Sequence, residues 1–410
     1  MKKKILSVFL VFCMALTFLP TAALAASAET TIDEDTVWES GKTLSQDLTI
    51  RDSATLTVKG SITIQGTVTI SGGTIQRGEG YTGALITVPE NGSLTLTNVV
   101  IDGGKDSAQD AAIRVDGGAL TLNNGAVVQN NNNMNNRENH YYHSSGWRYY
   151  NCGGGIAIYN GGTVTMNSGA EIKNNSITNS NYTKQSSGVS FPEDSTLVRE
   201  GNSHSFGGGV GIYESGTFTM NGGIISGNSA LKPDGVGEAY GGGVGLLSRG
   251  VDTDHASCNK TEDLRAEFVM NGGQVMNNTA TSGGGGFRAA DDQGDNKIDR
   301  KNHSVISING GEISNNTTAG AGGGFLIAYA SLTVGGNAKI ANNTATNNGG
   351  GIEVSSHSML TMTGGNVFGN QSSGLGGGIH DSGADATYDG TTEKTTLSIG
   401  FPGFSYTQTG

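Results

Sequence analysis

The sequence predicts an all-β protein, a single-stranded right-handed parallel β-helix with three strands per coil and roughly 11 coils. Gly-Gly-Gly motifs recur at a spacing of 27 residues, as at 322–324, 349–351 and 376–378. Short stretches of alternating apolar and polar residues lie between these motifs. The composition, with 68 Gly, 5 Pro and 15% charged residues, is typical of one repetitive architecture rather than of several globular domains.

The predicted strands follow from where the apolar residues stand within each repeat. One pair of inward positions comes directly after the glycines, as at Ile156 and Ile158, and a second pair follows, as at Val164 and Met166. Alternation of this kind turns one face of each strand inward. Such strands, separated by Gly and Asn corners, are too short for helices or βαβ units. Each coil buries its apolar face only against its neighbours, so stability is expected to come from stacking.

The third element of each repeat is an aliphatic residue followed three positions later by Asn. Asn tolerates left-handed turn geometry, and its amide group both donates and accepts hydrogen bonds. The alternative is a set of ordinary solvent-exposed turn residues, but recurrence at one register favours a ladder of amides that bond from coil to coil. The ladder is predicted for Asn131, Asn175, Asn228, Asn278, Asn316, Asn343 and Asn370.

Residues 1–28 have the features of a secretory signal peptide. Lys2, Lys3 and Lys4 precede an apolar core too short for a good membrane span, and small-x-small cleavage sites follow. Cleavage removes three lysines and takes the formal charge from −12 to −15. We therefore expect a secreted, extracellular protein, at a bacterial cell surface, with no membrane span after cleavage. An acidic chain without a basic stripe also disfavours nucleic acid as a partner.

The rest of the chain divides around the regular repeats. Residues 29–82 are predicted to form an N-terminal cap, with Trp38 covering the open end, and the first irregular coils. Residues 83–400 form the repeats, and 401–410 form a C-terminal cap or the start of a continuation. Loops on matching corners of stacked coils collect on one side, so the interrupted middle of the chain is the predicted interaction surface. The insertions are 132–152, 177–206, 231–240, 250–266 and 291–303.

The first insertion concentrates aromatic residues in a chain that has only 12 Tyr and 2 Trp. Rigid aromatic side chains with polar tips suit stacking on sugar rings or anchoring of a protein partner. The predicted ligand is accordingly a carbohydrate or an extracellular protein. The alternative is that these residues cover the flank of the β-helix as a packed loop. The candidate binding residues are Tyr141, Tyr142, Trp147, Tyr149 and Tyr150.

The sequence offers little support for metal or cofactor chemistry. The seven His residues are scattered without ligand spacing, so no zinc site is assigned. Residues 291–299 faintly resemble a calcium loop, but the EF-hand spacing is absent, which favours a solvated acidic loop. No cofactor and no metal ligand are predicted. Cys152 and Cys258 border insertions in nearby repeats and are either bridged or two isolated thiols.

The repeat resembles motifs of known bacterial surface proteins. Gly-Gly-Gly-Ile/Val followed by Ile-x-x-Asn resembles the Gly-Gly-Ala-Ile and Phe-x-x-Asn motifs of polymorphic outer membrane proteins, over roughly residues 83–400. It looks equally like the β-helix repeats of surface proteins from gut Gram-positive bacteria. This resemblance implies a pectin-lyase-like solenoid. This sequence departs from the motifs of polymorphic outer membrane proteins, because it has Gly where they have Ala and mostly Ile or Val where they have Phe. It also shows no terminal barrel. These departures disfavour an outer-membrane autotransporter.

Three functions remain open at this point: a binding module, a carbohydrate-active enzyme, and a passive stalk with no ligand, which shares every scaffold feature with the binding module. Many β-helices are polysaccharide lyases or glycoside hydrolases, which gather carboxylates on adjacent coils. The dense acidic group near a strand typical of those enzymes contains Asp102, Asp106, Asp110 and Asp116 beside Arg114. Elsewhere the strands carry Thr, Ser and Gly where catalytic side chains would project. We therefore predict an adhesin-like or structural binding module with no catalytic residue, and keep the carbohydrate-active enzyme as the alternative.

Overall fold

The chain winds into a right-handed parallel β-helix of about 11 coils, as the sequence predicts. The computed structural model describes residues 30–104, 110–134, 139–143, 146–178, 203–232, 237–249, 264–292, 303–355, 358–382, 386–388, 391–393 and 396–399. The predicted signal peptide and residues 401–410 lie outside these ranges. Within them, no helix has both the length and the apolar character needed to cross a membrane.

Three long parallel sheets, here called A, B and C, form the walls of the solenoid, and the chain passes from C to A to B in each coil. The strands of sheet A are Thr30–Ile32, Leu48–Ile50, Gly66–Ser71, Gly92–Thr97, Ala119–Leu122, Thr163–Met166, Thr217–Met220, Glu267–Met270, Ser304–Ile308, Ala330–Val334, Met359–Met362 and Thr396–Ile399. The strands of sheet B are Thr36–Trp38, Thr55–Val58, Thr74–Arg77, Val100–Asp102, Val127–Gln129, Glu171–Lys173, Ile224–Ser226, Gln274–Met276, Glu312–Ser314, Lys339–Ala341 and Asn366–Phe368. The strands of sheet C are Lys42–Leu44, Ile62–Ile64, Ile86–Pro89, Ile113–Asp116, Ile156–Tyr159, Val210–Tyr213, Val244–Arg249, Phe287–Asp292, Phe325–Ile327, Ile352–Val354 and Ile379–Asp381.

A fourth, shorter sheet lies at the corner between sheets B and C, and we call it the corner sheet. Its strands have two or three residues each and add one strand to most coils beyond the three that the sequence predicts. They are Asn132–Asn133, Ser176–Thr178, Ser229–Leu231, Thr279–Ala280, Thr317–Thr318, Thr344–Ala345 and Gln371–Ser372. A separate antiparallel hairpin of Ala386–Tyr388 and Thr391–Glu393 precedes the last strand of sheet A.

The core consists of inward side chains stacked in columns from coil to coil. Phe218 and Phe268 pair in sheet A with ring centroids 5.3 Å apart and nearly parallel planes. Phe287 and Phe325 stack in the same way in sheet C at 4.8 Å. All four are fully buried, and burial of a large apolar side chain is worth roughly 1.5–3 kcal/mol. The parallel register therefore brings like residues into contact and repeats the same stabilisation in each coil.

The N-terminal coils belong to the same solenoid. Thr30–Ile32 pairs in parallel with Leu48–Ile50, so sheet A begins at the first described residue. Trp38 is a strand residue of sheet B and joins the main core, with 8% of its surface exposed. The Nζ atom of Lys42 lies 4.4 Å from the centre of the Trp38 ring. Trp38 is therefore part of the wall and of the core of the first coil.

The corner after sheet B is held by a continuous ladder of buried asparagine amides. Asn228 illustrates the pattern: its Oδ1 accepts from the backbone N–H of Asn175 at 3.0 Å and from Asn175 Nδ2 at 3.2 Å. Its Nδ2 donates to the Ile172 carbonyl and to Asn278 Oδ1, both at 3.0 Å. An Asn side chain has two donor hydrogens and two acceptor lone pairs, so the hydrogen-bonding capacity of Asn228 is fully used. The same side chain-to-side chain bonds run through Asn175, Asn228, Asn278, Asn316, Asn343 and Asn370.

Asn131 starts the ladder in a different way. Its Oδ1 accepts from Nη2 of Arg77 at 2.8 Å, and its Nδ2 donates to the carbonyls of Asp110 and Gly154. Nε of Arg77 also donates to the Gly103 carbonyl at 2.6 Å. Burial lowers the pKa of Arg77, which shows how far this guanidinium is withdrawn from solvent. Arg77 therefore caps the ladder at its N-terminal end.

The left-handed turn at this corner is not made by the ladder asparagines themselves. It is made by the residue before each of them, which is Asn174 with φ +55° in one coil and Gly227 with φ +64° in the next. Asn and Gly adopt this conformation at the lowest cost. In each Asn-Asn or Gly-Asn pair, the first residue therefore turns the backbone and the side chain of the second residue forms hydrogen bonds to neighbouring coils.

A second asparagine ladder, which the sequence analysis missed, follows the corner between sheets A and B. Asn221 Nδ2 donates to Asn167 Oδ1 at 3.1 Å, and Asn271 Nδ2 donates to Asn221 Oδ1 at 3.0 Å. Most of its members lie at the surface. Its members are Asn123, Asn167, Asn221, Asn271 and Asn309. The sequence signal was an Asn directly after the apolar residue that ends the sheet A strand.

Candidate functional site: a second layer on the flank

Three of the predicted insertions build an additional sheet on the outside of the β-helix, which we call the flank sheet. Its strands occur in the order Asn139–His143, Gly146–Cys152, Ser203–Phe206 and Glu238–Tyr240. The first pair is antiparallel and the others are parallel. The insertions 132–152, 177–206 and 231–240 are therefore not simple loops, because their last residues pair with one another before the chain enters the glycine corner.

The aromatic hairpin forms the N-terminal end of this sheet. Tyr142 pairs with Trp147, and His140 with Tyr149, whereas Tyr141 pairs with Arg148. Successive positions along a β-ribbon alternate between its two faces, so residues 142, 147 and 149 occupy positions of the same face by this backbone register. Tyr141 and Tyr150 belong to the other face. The surroundings of the side chains at 139–149 lie outside the described part of the structure.

Tyr150 is the candidate binding residue whose side chain is described, and it is buried, with 3% of its surface exposed. Its ring lies 6.0 Å from that of Phe206 and 5.7 Å from that of His204, measured between centroids. Phe206 in turn stacks on Tyr240 at 5.7 Å. Tyr150 therefore takes the packing role that the sequence left open as the alternative for this insertion.

The flank sheet packs on both of its faces. Tyr150, Cys152 and Phe206 form a small apolar core with residues that point outward from sheet C, among them Tyr159 and Tyr213. On the opposite face, Ala239 packs with residues of the corner sheet, namely Ile177, Ala230 and Ala280. The flank sheet is thus held between sheet C and the corner sheet. An insertion anchored on both sides is a rigid base for the hairpin that it carries.

Small residues on sheet C make room for this second layer. Ala157, Gly211 and Gly245 follow one another in register at the first outward position of the strand. A Cβ atom on Gly211 would lie 2.2 Å from the backbone nitrogen of Gly153 and 2.6 Å from Cys152 Sγ. At Gly211 and Gly245 the backbone at the end of a flank strand therefore rests directly on the backbone of sheet C, which leaves no room for a Cβ atom at these two positions.

The same outward row becomes charged where the flank sheet ends. Arg288 follows Gly245 in register, and Leu326, Glu353 and His380 come next. The Arg288 guanidinium lies over the ring of Tyr240, with Cζ 4.9 Å from the ring centre. Burial lowers the pKa of Arg288, and the Tyr240 phenol opposes this shift.

Glu353 and His380 form a buried acid–imidazole pair further along this row. His380 Nδ1 lies 2.9 Å from Glu353 Oε2 and 3.2 Å from Oε1, and the Ser382 hydroxyl donates to Oε1. Glu353 is almost fully buried, with 3% of its surface exposed. Burial raises the pKa of Glu353, although the Ser382 hydroxyl and His380 partly offset this shift.

The acidic residues proposed for the alternative, enzymatic function are divided between two sheets. Asp102 ends a strand of sheet B, where Oδ2 accepts from Gln129 Nε2 and Asn130 Nδ2, both at 2.9 Å. Asp116 ends a strand of sheet C and accepts from Asn160 Nδ2 at 2.5 Å, with Nε of Arg114 3.6 Å from its Oδ2. Both carboxylates therefore bond to neighbouring coils. Asp106 lies outside the described residues, and the backbone N–H of Ala111 donates to the carboxylate of Asp110.

The remaining sequence predictions fall at the edges of the described structure. Cys152 is a buried free thiol whose pKa is raised by burial, and Cys258 lies outside the described residues. Most of the insertions 250–266 and 291–303 also lie outside them. Asp291 and His303, which border the second of these insertions, are buried at the corner between sheets C and A.

No protein-family model matches the chain, and no curated protein or solved structure is significantly similar to it. The resemblance of the repeats to those of bacterial surface proteins therefore rests on the motifs alone.

Proposed function

We propose that this protein is a secreted or cell-surface, adhesin-like binding module that recognises a carbohydrate through the aromatic hairpin on its flank. The observation that carries the proposal is the flank sheet, to which three successive coils each contribute inserted chain. A stalk without a ligand gains nothing from a second layer on one side of a few coils. Inserted segments that are carried by a rigid scaffold are the usual location of binding residues.

The chemistry of the hairpin supports a carbohydrate ligand. Its register assigns Tyr142, Trp147 and Tyr149 to one face, together with His140. Aromatic rings with polar tips stack on the apolar face of a sugar ring and bond its hydroxyl groups. A hairpin whose base is fixed also loses little conformational entropy on binding, which favours affinity.

The test is a glycan array probed with the secreted protein and with the variants Trp147→Ala and Tyr142→Ala. We expect a defined set of glycans to bind the wild type, and both substitutions to weaken binding by at least about tenfold, as loss of a central aromatic contact does. Phe368→Ala is the matched control, because Phe368 is an aromatic residue with 43% exposure on the last strand of sheet B, outside the flank sheet. Equal binding by all four proteins, or no binding to any glycan, would contradict the proposal.

A further inference from the structure

Within the described part of the chain, Arg288 stands out because its guanidinium is buried and no described carboxylate pairs with it. Nε and Nη1 are both inaccessible to solvent and have no hydrogen-bond partner. The contact that the guanidinium does make is with the ring of Tyr240, at 4.9 Å. Tyr240 is uncharged at neutral pH, since burial raises its pKa. A buried charge without a partner is strongly unfavourable, so this arrangement requires a physical reason.

The same row of sheet C contains a second arginine, Arg114, which has the carboxylate partner that Arg288 lacks among the described residues. Arg114 lies in register with Arg288 at the first outward position, four coils earlier, and its Cζ is 4.5 Å from the centre of the Tyr159 ring. Arg114 therefore repeats the arginine-over-tyrosine arrangement. It differs in having a carboxylate beside it, with Nε 3.6 Å from Asp116 Oδ2. The residue that corresponds to Asp116 in the coil of Arg288 is Ala290, which has no carboxylate.

We infer that Arg288 is a binding site for the carboxylate of an acidic saccharide, which takes the place beside the guanidinium that Asp116 takes beside Arg114. Arg288 as a residue keeps partial exposure although Nε and Nη1 are buried, so the site lies just beneath the surface rather than in the main core. It lies where the flank sheet ends, next to the last flank strand, Glu238–Tyr240. A carboxylate pairs with a guanidinium through charge-assisted hydrogen bonds, which are strongest away from water.

A saccharide fits the surroundings better than an acidic peptide does. The chain carries a formal charge of −12, and −15 once the predicted signal peptide is removed, so a ligand with several adjacent acidic groups is repelled as a whole. A uronic acid brings one carboxylate per sugar ring, and its other polar groups are neutral hydroxyls. The inference rests on the proposed function, since it specifies which class of carbohydrate the flank binds.

The test compares the thermal midpoint of unfolding of three proteins, the wild type, Arg288→Met and Arg114→Met, with galacturonate as the probe at constant ionic strength. A ligand that binds only the folded state raises the midpoint in a concentration-dependent way. We expect galacturonate to raise the midpoint of the wild type and of Arg114→Met. The shift is lost in Arg288→Met, whose apparent affinity for galacturonate falls by at least about tenfold.

Four control compounds show which part of galacturonate causes a shift of the thermal midpoint. They are galactose, the methyl ester of galacturonate, acetate and a short glutamate peptide. No response to galactose or the methyl ester is expected, because neither carries a carboxylate. A response to acetate or to the peptide that equals the galacturonate response overturns the assignment to a saccharide. A wild type that does not respond to galacturonate overturns the site itself.

The ligand-free proteins provide a second readout that does not depend on the probe. Removal of an unpaired buried charge leaves stability unchanged or raises it, whereas breaking a pair lowers it. We therefore expect the midpoint of Arg288→Met to equal or exceed that of the wild type, and a midpoint clearly below it contradicts the inference. Glycan-array binding that depends on Trp147 but not on Arg288 would uphold the proposed function and reject the Arg288 site. A shift of the thermal midpoint by galacturonate without any binding on the array would uphold the Arg288 site and reject the proposed function.

Discussion

Asn228 offers the sharpest test of how the β-helix is held together, because its four hydrogen bonds can be removed by one substitution. In Asn228→Ala, the backbone N–H of Asn175 and one N–H of its side-chain amide lose their acceptor. The Ile172 carbonyl and Asn278 Oδ1 each lose a donor. All of these groups are buried at a corner where neighbouring coils meet.

The expected loss of stability follows from the two orphaned N–H groups. A buried donor without a partner costs about 1–3 kcal/mol, so the pair costs about 2–6 kcal/mol before the two weakened acceptors are considered. Asn228→Asp keeps the shape of the side chain but replaces both donor hydrogens with acceptor lone pairs, which face the Ile172 carbonyl and Asn278 Oδ1. We expect it to be at least as destabilising as Asn228→Ala at neutral pH. Its cost should shrink on acidification, because burial and facing acceptors raise the pKa of the new carboxyl and its neutral form is the favoured one.

The matched control is Asn221→Ala, which removes an asparagine of the second ladder from the same coil. Asn221 lies at the surface, where water replaces the lost partners, so the expected loss is below about 1 kcal/mol. The assay combines thermal unfolding with hydrogen–deuterium exchange of peptides covering 171–178 and 224–231. Exchange is needed because the stability of a solenoid is a sum of local and nearest-neighbour contributions, and a local loss is diluted in a global midpoint. If Asn228→Ala and Asn221→Ala exchange alike in these peptides, the reasoning about buried amides is refuted.

Three further predictions concern sheet C and the layer on it. In Gly211→Ala, the added Cβ meets the backbone nitrogen of Gly153 at 2.2 Å, so we expect the flank sheet to be displaced and its peptides to exchange faster, while unchanged exchange argues against direct backbone contact. In Cys258→Ser protein, we expect Cys152 to resist thiol reagents at pH 8 until the chain unfolds, because burial raises its pKa and blocks access, and rapid labelling of the folded protein would disagree. Because the folded-state pKa of Glu353 is raised, its contribution to stability is present below its ordinary pKa of 4.5 and is lost as the pH rises through the raised value. The thermal midpoint of Glu353→Gln should therefore rise relative to that of the wild type as the pH increases over this range. If the midpoint of the wild type rises relative to that of the variant instead, the ion pair with His380 outweighs the effect of burial on Glu353.

The fold could be predicted because its determinants repeat in the sequence. A glycine corner, two alternating strands and an aliphatic-x-x-Asn element recur at one register, and stacking multiplies each local preference over many coils. The interlocked bonds of the buried ladder follow from the same periodicity, since identical amides at one corner can only meet each other. The sequence does not decide which residue takes the left-handed conformation, because Asn-Asn pairs offer two candidates with the same propensity. Only the packing decides which of the two, such as Asn174 and Asn175, turns inward.

The flank sheet could not be predicted from periodicity, because each insertion occurs once and has its own length. A subtler signal was nevertheless present in the regular strands beneath it. The first outward residue of sheet C is Ala157, Gly211 or Gly245 where a flank strand lies above, and Leu326 or Glu353 in later coils. A missing side chain on an otherwise solvent-facing strand position indicates close approach of another backbone. The exposure of Tyr150 was likewise undecidable from sequence, since its burial depends on this layer.

The location of the flank sheet connects the scaffold to the proposed binding function. Each flank strand follows the corner sheet, which itself follows the buried asparagine ladder, so the insertions leave the solenoid at the corner that this ladder holds together. Ala239 packs on the corner sheet while Phe206 packs on sheet C, and the two contacts fix the layer from both sides. A hairpin extending from such a base is preorganised, which lowers the entropic cost of binding a ligand. The same reasoning predicts that Gly211→Ala should weaken glycan binding although residue 211 lies beneath the layer, where it meets Gly153 and Cys152.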